Sequence, residues 1–249
     1  IVWETGRAGE EAASYENLFL RKEIAGFRTN IRREQSCSIK SLTRDYLYKQ
    51  LLSSGEYTFD HMLVIKDPYG EAPLTALALF ILEEPACVRV TTKGNLKETD
   101  FVTELPKKKE HRVPILGMYA EKANDIVIEI LDDEGNCVKS HTFTIRTKRL
   151  PKSLRNVITV KKWTDKPAYS NIMINGGVKI HTCVFDIEGK IRYYLSRKPR
   201  GYGIFPLSDG HFFYMEKYIS VPSYSNPQTV ESYDMDYFGR VFRTYLTEK

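Results

Sequence analysis

The spacing of apolar residues changes character about sixty residues into the chain. Before that point it is helical. Leu20, Ile24, Phe27 and Ile31 recur on one helix face, with Glu16 and Arg21 among the flanking charges. A second helix is expected from Ser41, as its N-cap, through Leu42, Tyr46, Leu47 and Leu51 to a stop at Gly55. Residues 1–61 therefore read as a helical lead-in that packs on something else, not as a domain. From Leu63 onward the texture is β. Leu74–Leu82 is a largely apolar run and a candidate buried strand, and Cys87-Val-Arg-Val-Thr-Thr alternates up to the turn Lys93-Gly94-Asn95. Phe101–Leu105 and Arg112–Leu116 follow as further strands, the latter pushed toward a sheet edge by Pro114. The clearest hairpin joins Ile126–Leu131 to Cys137–Ile145 across Asp133-Glu134-Gly135-Asn136. Its second strand sets Cys137, His141, Phe143 and Ile145 on one face, opposite Val138, Ser140, Thr142 and Thr144. Some six short strands punctuated by turns argue an immunoglobulin-like β-sandwich over residues 62–148.

The charged, proline-punctuated stretch Thr147-Lys-Arg-Leu-Pro-Lys-Ser-Leu-Arg leads out of that unit, with residues 149–156 expected as a linker. Its Pro151-Lys152-Ser153 triplet lacks the glycines and hydroxyls of a phosphate-cradling loop. Beyond it, Phe185-Asp-Ile-Glu-Gly-Lys-Ile-Arg-Tyr-Tyr-Leu195 returns as Met235-Asp-Tyr-Phe-Gly-Arg-Val-Phe-Arg-Thr-Tyr-Leu246, with Asp186 and Asp236 spaced by 50 residues. Each glycine suits a tight turn whose backbone the preceding Asp can bond. Another strand–turn–strand, around Asp209-Gly210-His211, lies between the copies. A period near fifty residues with about four short strands has the dimensions of a propeller blade. Residues 157–249 thus hold about two blades, fewer than the four at which propellers close, so a longer protein is expected. The fold class is mainly β: a helical lead-in, a sandwich, then the start of a β-propeller.

Composition narrows the functions. The 37 Lys+Arg against 32 Asp+Glu leave a formal +5, too thin and dispersed for a nucleic-acid surface. No apolar run is long enough to span a bilayer. Nine acidic and nine basic residues make the first sixty neutral, so the remainder carries the whole excess. Cys37, Cys87, Cys137 and Cys183 contain no Cys-x-x-Cys pair, which excludes zinc ribbons and redox motifs. The plain reading is two buried free thiols on strands, and the sharper one a Cys87–Cys137 bridge across the sandwich. His61, His111, His141, His181 and His211 never cluster, so no metal signature exists. His111 and His141 are expected as surface or satisfied strand histidines, His181 as structural, and His211 as a turn residue opening a strand. Arg192 and Arg243, after the repeat glycines, are expected to be solvated, with stacking on Tyr194 or Tyr245 as the second reading.

These stretches together resemble a family. Asp67-Pro-Tyr-Gly-Glu-Ala-Pro-Leu-Thr-Ala-Leu-Ala-Leu-Phe, Val88-Arg-Val-Thr-Thr-Lys-Gly and His111-Arg-Val-Pro-Ile-Leu-Gly-Met-Tyr are similar to the N-terminal domain of bacterial aryl-sulfate sulfotransferases. Asn124-Asp-Ile-Val-Ile-Glu-Ile, Asp133-Glu-Gly-Asn and Thr147-Lys-Arg-Leu-Pro continue the likeness, and the two repeats resemble that family's first propeller blades. The resemblance implies a periplasmic or secreted enzyme that moves a sulfuryl group from a phenolic sulfate ester to a phenol. It implies a ping-pong route through a sulfated histidine, without phosphosulfate nucleotide, metal or organic cofactor, and a possible homodimer. The family's active-site histidines are expected downstream of Lys249, so no catalytic, cofactor-binding or metal residue is assigned in this chain, which alone is expected to be inactive. The competing reading is a secreted sandwich-plus-propeller binding or adhesion protein, since both architectures host many functions.

Overall fold

The computed structural model describes residues 2–3, 35–161, 171–174, 181–197, 203–219 and 228–246. The helix expected at Leu20–Ile31 lies outside them. In chain order the elements are β1 (Val2–Trp3), α1 (Gln35–Ser53), β2 (Leu63–Lys66), β3 (Ala76–Thr92), β4 (Phe101–Ile115), β5 (Ala123–Leu131) and β6 (Cys137–Arg146). They continue as β7 (Asn171–Ile174), β8 (Cys183–Asp186), β9 (Ile191–Tyr194), β10 (Gly203–Pro206), β11 (Phe212–Ile219), β12 (Gln228–Met235) and β13 (Val241–Leu246).

The apolar run at Leu74–Leu82 and the alternating Cys87–Thr92 belong to one strand, β3, and the two candidates around Phe101 and Arg112 likewise merge into β4. The β3–β4 ladder slips between Ile81 and Val88, where Pro85 interrupts one strand and Pro106 stands near the break in the other. Ala76, Ala78 and Phe80 before the break, and Val88 and Val90 after it, all enter one core with Val113, Ile115, Ile126, Ile128 and Ile145. The long hairpin therefore bends over and supplies strand to both layers of the sandwich. β2 pairs with the first half of β3, and β5, followed by β6, pairs with the second. β4 pairs only with β3 and so forms an edge, as Pro114 requires.

Leu77 and Leu79 face away from this core and are nonetheless buried, because Tyr48 and Leu52 of α1 cover them together with Leu63. Burial on both faces explains why the run lacks alternation. The helix differs from expectation in two ways. Ser41 is an interior, buried position, not the N-cap, and its Oγ accepts the backbone N–H of Val241 at 2.9 Å. The inward stripe is Leu47, Tyr48, Leu51 and Leu52, while Leu42 and Tyr46 are 64% and 50% exposed.

β7–β9 form a three-stranded antiparallel meander and β10–β13 a four-stranded one. Cys183, Ile191 and Tyr194 of the smaller sheet join the sandwich core. Tyr193, Val184 and the adjacent Leu195 pack instead with Phe212, Tyr214, Tyr233, Met235 and Val241 of the larger sheet. The smaller sheet is thus a shared layer, and every side chain of β9 is buried. The connecting segment is also packed: Leu154 is in the sandwich core and Leu150 lies against it.

Asp186 and Asp236 do close their turns. In each, the glycine N–H donates to the aspartate carbonyl (2.8 and 2.9 Å), and the carboxylate accepts two further backbone N–H groups. Asp132 and Gly135 build the same turn inside the sandwich hairpin, and Leu207 and Gly210 repeat its backbone. All four glycines have φ between +76° and +85°, the left-handed position of a type I turn with a bulge. The signature that suggested a blade repeat is therefore, by itself, a hairpin turn. Among the described residues no helix is long and apolar enough to cross a membrane.

Cys87 and Cys137 do not bridge. Cys87 is in register with Leu131 of β5, and Leu131 with Cys137 of β6, so a strand separates the two thiols within one sheet. Two strand spacings, about 9–10 Å, exceed disulfide reach.

Candidate functional site

Polar chemistry is concentrated where the sandwich meets the two meanders. Arg192, expected to be solvated, is 1% exposed, and its partner Asp186 is fully buried. The guanidinium donates to the carbonyl of Gly117 (2.6 Å), the carbonyl of Thr99 (2.8 Å), the Tyr119 hydroxyl (3.1 Å) and Asp186 Oδ2 (3.3 Å). It lies over the Tyr119 ring at 4.0 Å, so the stacking partner is Tyr119 and not Tyr194. Tyr119 Oη donates to Asp186 Oδ2 (3.0 Å) and accepts the N–H of Asn95 (3.1 Å). Burial pushes that phenol up, which keeps it a neutral donor. Asn95 extends the seam outward, donating to Glu188 and accepting from Lys122. One buried ion pair thus ties two sandwich loops to the first repeat turn, and Arg192 Nη2 has no partner among the described residues.

The second repeat turn docks on the helix. Asp45 of α1 accepts from Tyr69 Oη (2.6 Å) and pairs with Arg240 Nη2 (2.6 Å). Tyr48 Oη donates to the carbonyl of Pro68. Burial raises the Asp236 carboxyl to about 6, against the pull of backbone donors, Arg240 and His211. Asp67 is raised as well, again chiefly by burial.

His211 sits between the two turns that end the larger sheet. Its Nδ1 is 3.0 Å from Asp234 Oδ1 and 3.4 Å from Asp209 Oδ2, so it carries the hydrogen that these carboxylates accept. Its ring stacks on Phe242 at 4.0 Å. Asp234, Asp209 and the Phe242 ring together fix the orientation of the imidazole. The turn pattern placed His211 correctly but gave no sign of Asp234, which is 23 residues away.

The other histidines are held in structural roles. His111 is 2% exposed, donates from Nε2 to the Lys108 carbonyl at 2.8 Å and stacks on Phe80. Burial lowers its pKa, so it stays neutral. His141 lies between Phe59 and Phe143, His181 meets the edge of Tyr194, and His61 is exposed. Arg243 is exposed, as expected. Among the described residues no group of His, Cys, Asp or Glu is placed to hold a metal ion.

Two clefts accompany these clusters. One, of about 330 Å³, lies at the β4 bend beside Pro106, Lys108 and Arg112. The other, of about 340 Å³, runs between the segment leaving the sandwich and the Asp186 turn, with Arg149, Arg155 and Lys190 on its rim. The linker charges were visible in sequence, but nothing there placed Lys190 beside them.

Residues 63–148 match the family profile described as Arylsulfotransferase Ig-like domain. No curated protein matches the chain.

Proposed function

We propose, from the domain matched at residues 63–148, that the chain is the N-terminal portion of an aryl-sulfate sulfotransferase. That match is the observation that carries the reading. It agrees with the separate likeness of the repeats to the family's first blades. The two meanders packed face to face, with Tyr193 and Leu195 against Phe212 and Tyr233, are an arrangement suited to neighbouring blades. In this reading residues 1–61 are a lead-in, 62–148 the sandwich, 149–156 the connection and 157–249 the first part of a propeller. The protein works in the periplasm or outside the cell, and a homodimer is compatible with the edge strands.

The reaction transfers a sulfuryl group between phenols. An imidazole nitrogen attacks sulfur, the sulfur–oxygen bond to the donor breaks, and the phenolate leaves with its electron pair. An acceptor phenol, losing its proton to a base, then attacks the sulfur and returns the histidine. Fixed cationic donors stabilise the charge on the sulfuryl oxygens. The nucleophilic histidine is assigned, by the resemblance, to sequence following these 249 residues. The role of the described part is to hold the first sheets in a fixed orientation.

The full-length protein, supplied with 4-nitrophenyl sulfate and phenol but no nucleotide, is expected to release 4-nitrophenolate in a phenol-dependent manner. A folded protein that gives no phenol-dependent release would refute the assignment.

A further inference from the structure

The cleft of about 340 Å³ beside the Asp186 turn is at the lower end of small-molecule sites, which run from roughly 300 to 1,000 Å³. Part of its lining is apolar. Leu150, Val157 and Ile158 present hydrocarbon to it, Val157 being 42% exposed, above the core residues Leu154 and Ile191. Its rim is cationic. Arg155 donates from Nε to the Leu150 carbonyl at 2.9 Å, which fixes the guanidinium and leaves both amino groups without a partner among the described residues. Lys190 likewise has no ion pair among the described residues, its place on the turn being set by its own backbone N–H to Asp186 Oδ1 at 3.0 Å. Arg149 meets Glu121 at 3.4 Å, but both side chains are about two-thirds exposed, so the pair neutralises little. Three cations thus surround one carboxylate.

The wall is built with strained backbone. Glu121 and Asn156 both have φ of +56°, and they are two of the three non-glycine residues with positive φ among those described. Gly189 lets the opposite wall close in: a Cβ there would come within 3.1 Å of Val160 Cγ2 and 3.3 Å of Ile158 Cγ2. Apolar side chains beside two unpaired cations favour an anion with an apolar body over a bare inorganic anion, which would leave Val157 wet.

We propose that this cleft binds a small amphiphilic anion, its ring on Val157 and Ile158 and its head group between Arg155 and Lys190. The identity of the ligand as a phenolic sulfate ester rests on the sulfotransferase reading. The cleft itself does not.

The test is calorimetric titration of the intact protein with 4-methylumbelliferyl sulfate. One saturable component is expected to weaken roughly tenfold in Arg155→Met and again in Lys190→Gln, each the loss of one charge-assisted contact. Glu121→Gln is expected to tighten it. Inorganic sulfate and neutral 4-methylumbelliferone are each expected to displace the probe poorly. An unchanged titration in Lys190→Gln, an exposed substitution whose melting temperature should match the parent, overturns the proposal. Displacement by inorganic sulfate as strong as by the aryl sulfate overturns it too. Sulfuryl transfer from 4-nitrophenyl sulfate, measured on the same samples, separates the two readings. A rim-sensitive component without transfer sinks the transferase assignment alone, and transfer without that component sinks the cleft alone.

Discussion

Replacing Arg192 by Met removes the only cation that pairs with a fully buried Asp186 among the described residues. Asp186 Oδ1 keeps its two turn N–H donors and Oδ2 keeps the Tyr119 hydroxyl, so the carboxylate is left solvated by dipoles alone. The carbonyls of Gly117 and Thr99 lose donors as well. Breaking a buried pair from one side costs about 3–5 kcal/mol, and the lost carbonyl bonds overlap with that figure instead of adding to it. For a chain of this length each kcal/mol moves the melting temperature by about 2–4 °C, so a fall on the order of 10 °C is expected. Arg192→Lys keeps the charge but cannot fork to two carbonyls, a hydroxyl and a carboxylate, and should fall between. Asp186→Asn combined with Arg192→Met should recover part of the loss, because the stranded charge is gone. Melting followed by circular dichroism checks the magnitude, and hydrogen exchange on Thr99 and Gly117 checks the place. If Arg192→Met melts within about 2 °C of the parent, the seam does not hold the units together in the way its geometry indicates.

Two further outcomes follow from other groups. Asp236 has its folded pKa raised to about 6, above the unfolded value of 3.8, so its stabilising contribution is complete below 3.8 and lost as pH rises through 6. Asp236→Asn should therefore flatten the fall in melting temperature between pH 4 and 7 and gain up to about 3 kcal/mol at neutral pH; parallel pH profiles for parent and variant would contradict this. Because Cys87 and Cys137 are free and two strands apart, reductant should leave the melting temperature unchanged. Exposed Cys137 should alkylate in the native state, while Cys183, buried and raised to about 11, should react only on unfolding; a reductant-sensitive melt would count against the register.

Legibility in the sequence followed the range of the interaction. The β5–β6 hairpin was readable because its alternation and its Asp132–Asn136 turn lie within a few residues of each other. β3 and β4 were read as four strands because Pro85 and Pro106 look like punctuation, whereas here they mark a bend shared by two layers. The repeat at Asp186 and Asp236 was real as a turn, yet Asp132 and Gly135 make the same turn in the sandwich. Arg192 is expected to be solvated from its place in the strand after a repeat glycine, read as peripheral, while its acceptors at Thr99 and Gly117 are 93 and 75 residues away. Leu42 and Tyr46 misled in the opposite sense: only the covering of Leu77 and Leu79 by Tyr48 and Leu52 decides which helix face is inside. No local pattern could have joined Arg155 to Lys190 either, since they lie 35 positions apart in the sequence.

The hydrogen bond from Val241 to Ser41 spans 200 residues of chain. At ribosomal rates of about 5–20 residues per second, α1 waits roughly 10–40 s after leaving the tunnel before its last docking partner is made. During that interval Tyr48 and Leu52 can settle on β3, but the Asp45 side of the helix has no Arg240 to meet. Full docking of α1 is therefore a late, high-contact-order event. Synthesis that stalls before β13 would leave the helix half-docked, with its polar face open to whichever chaperone or second nascent chain arrives first.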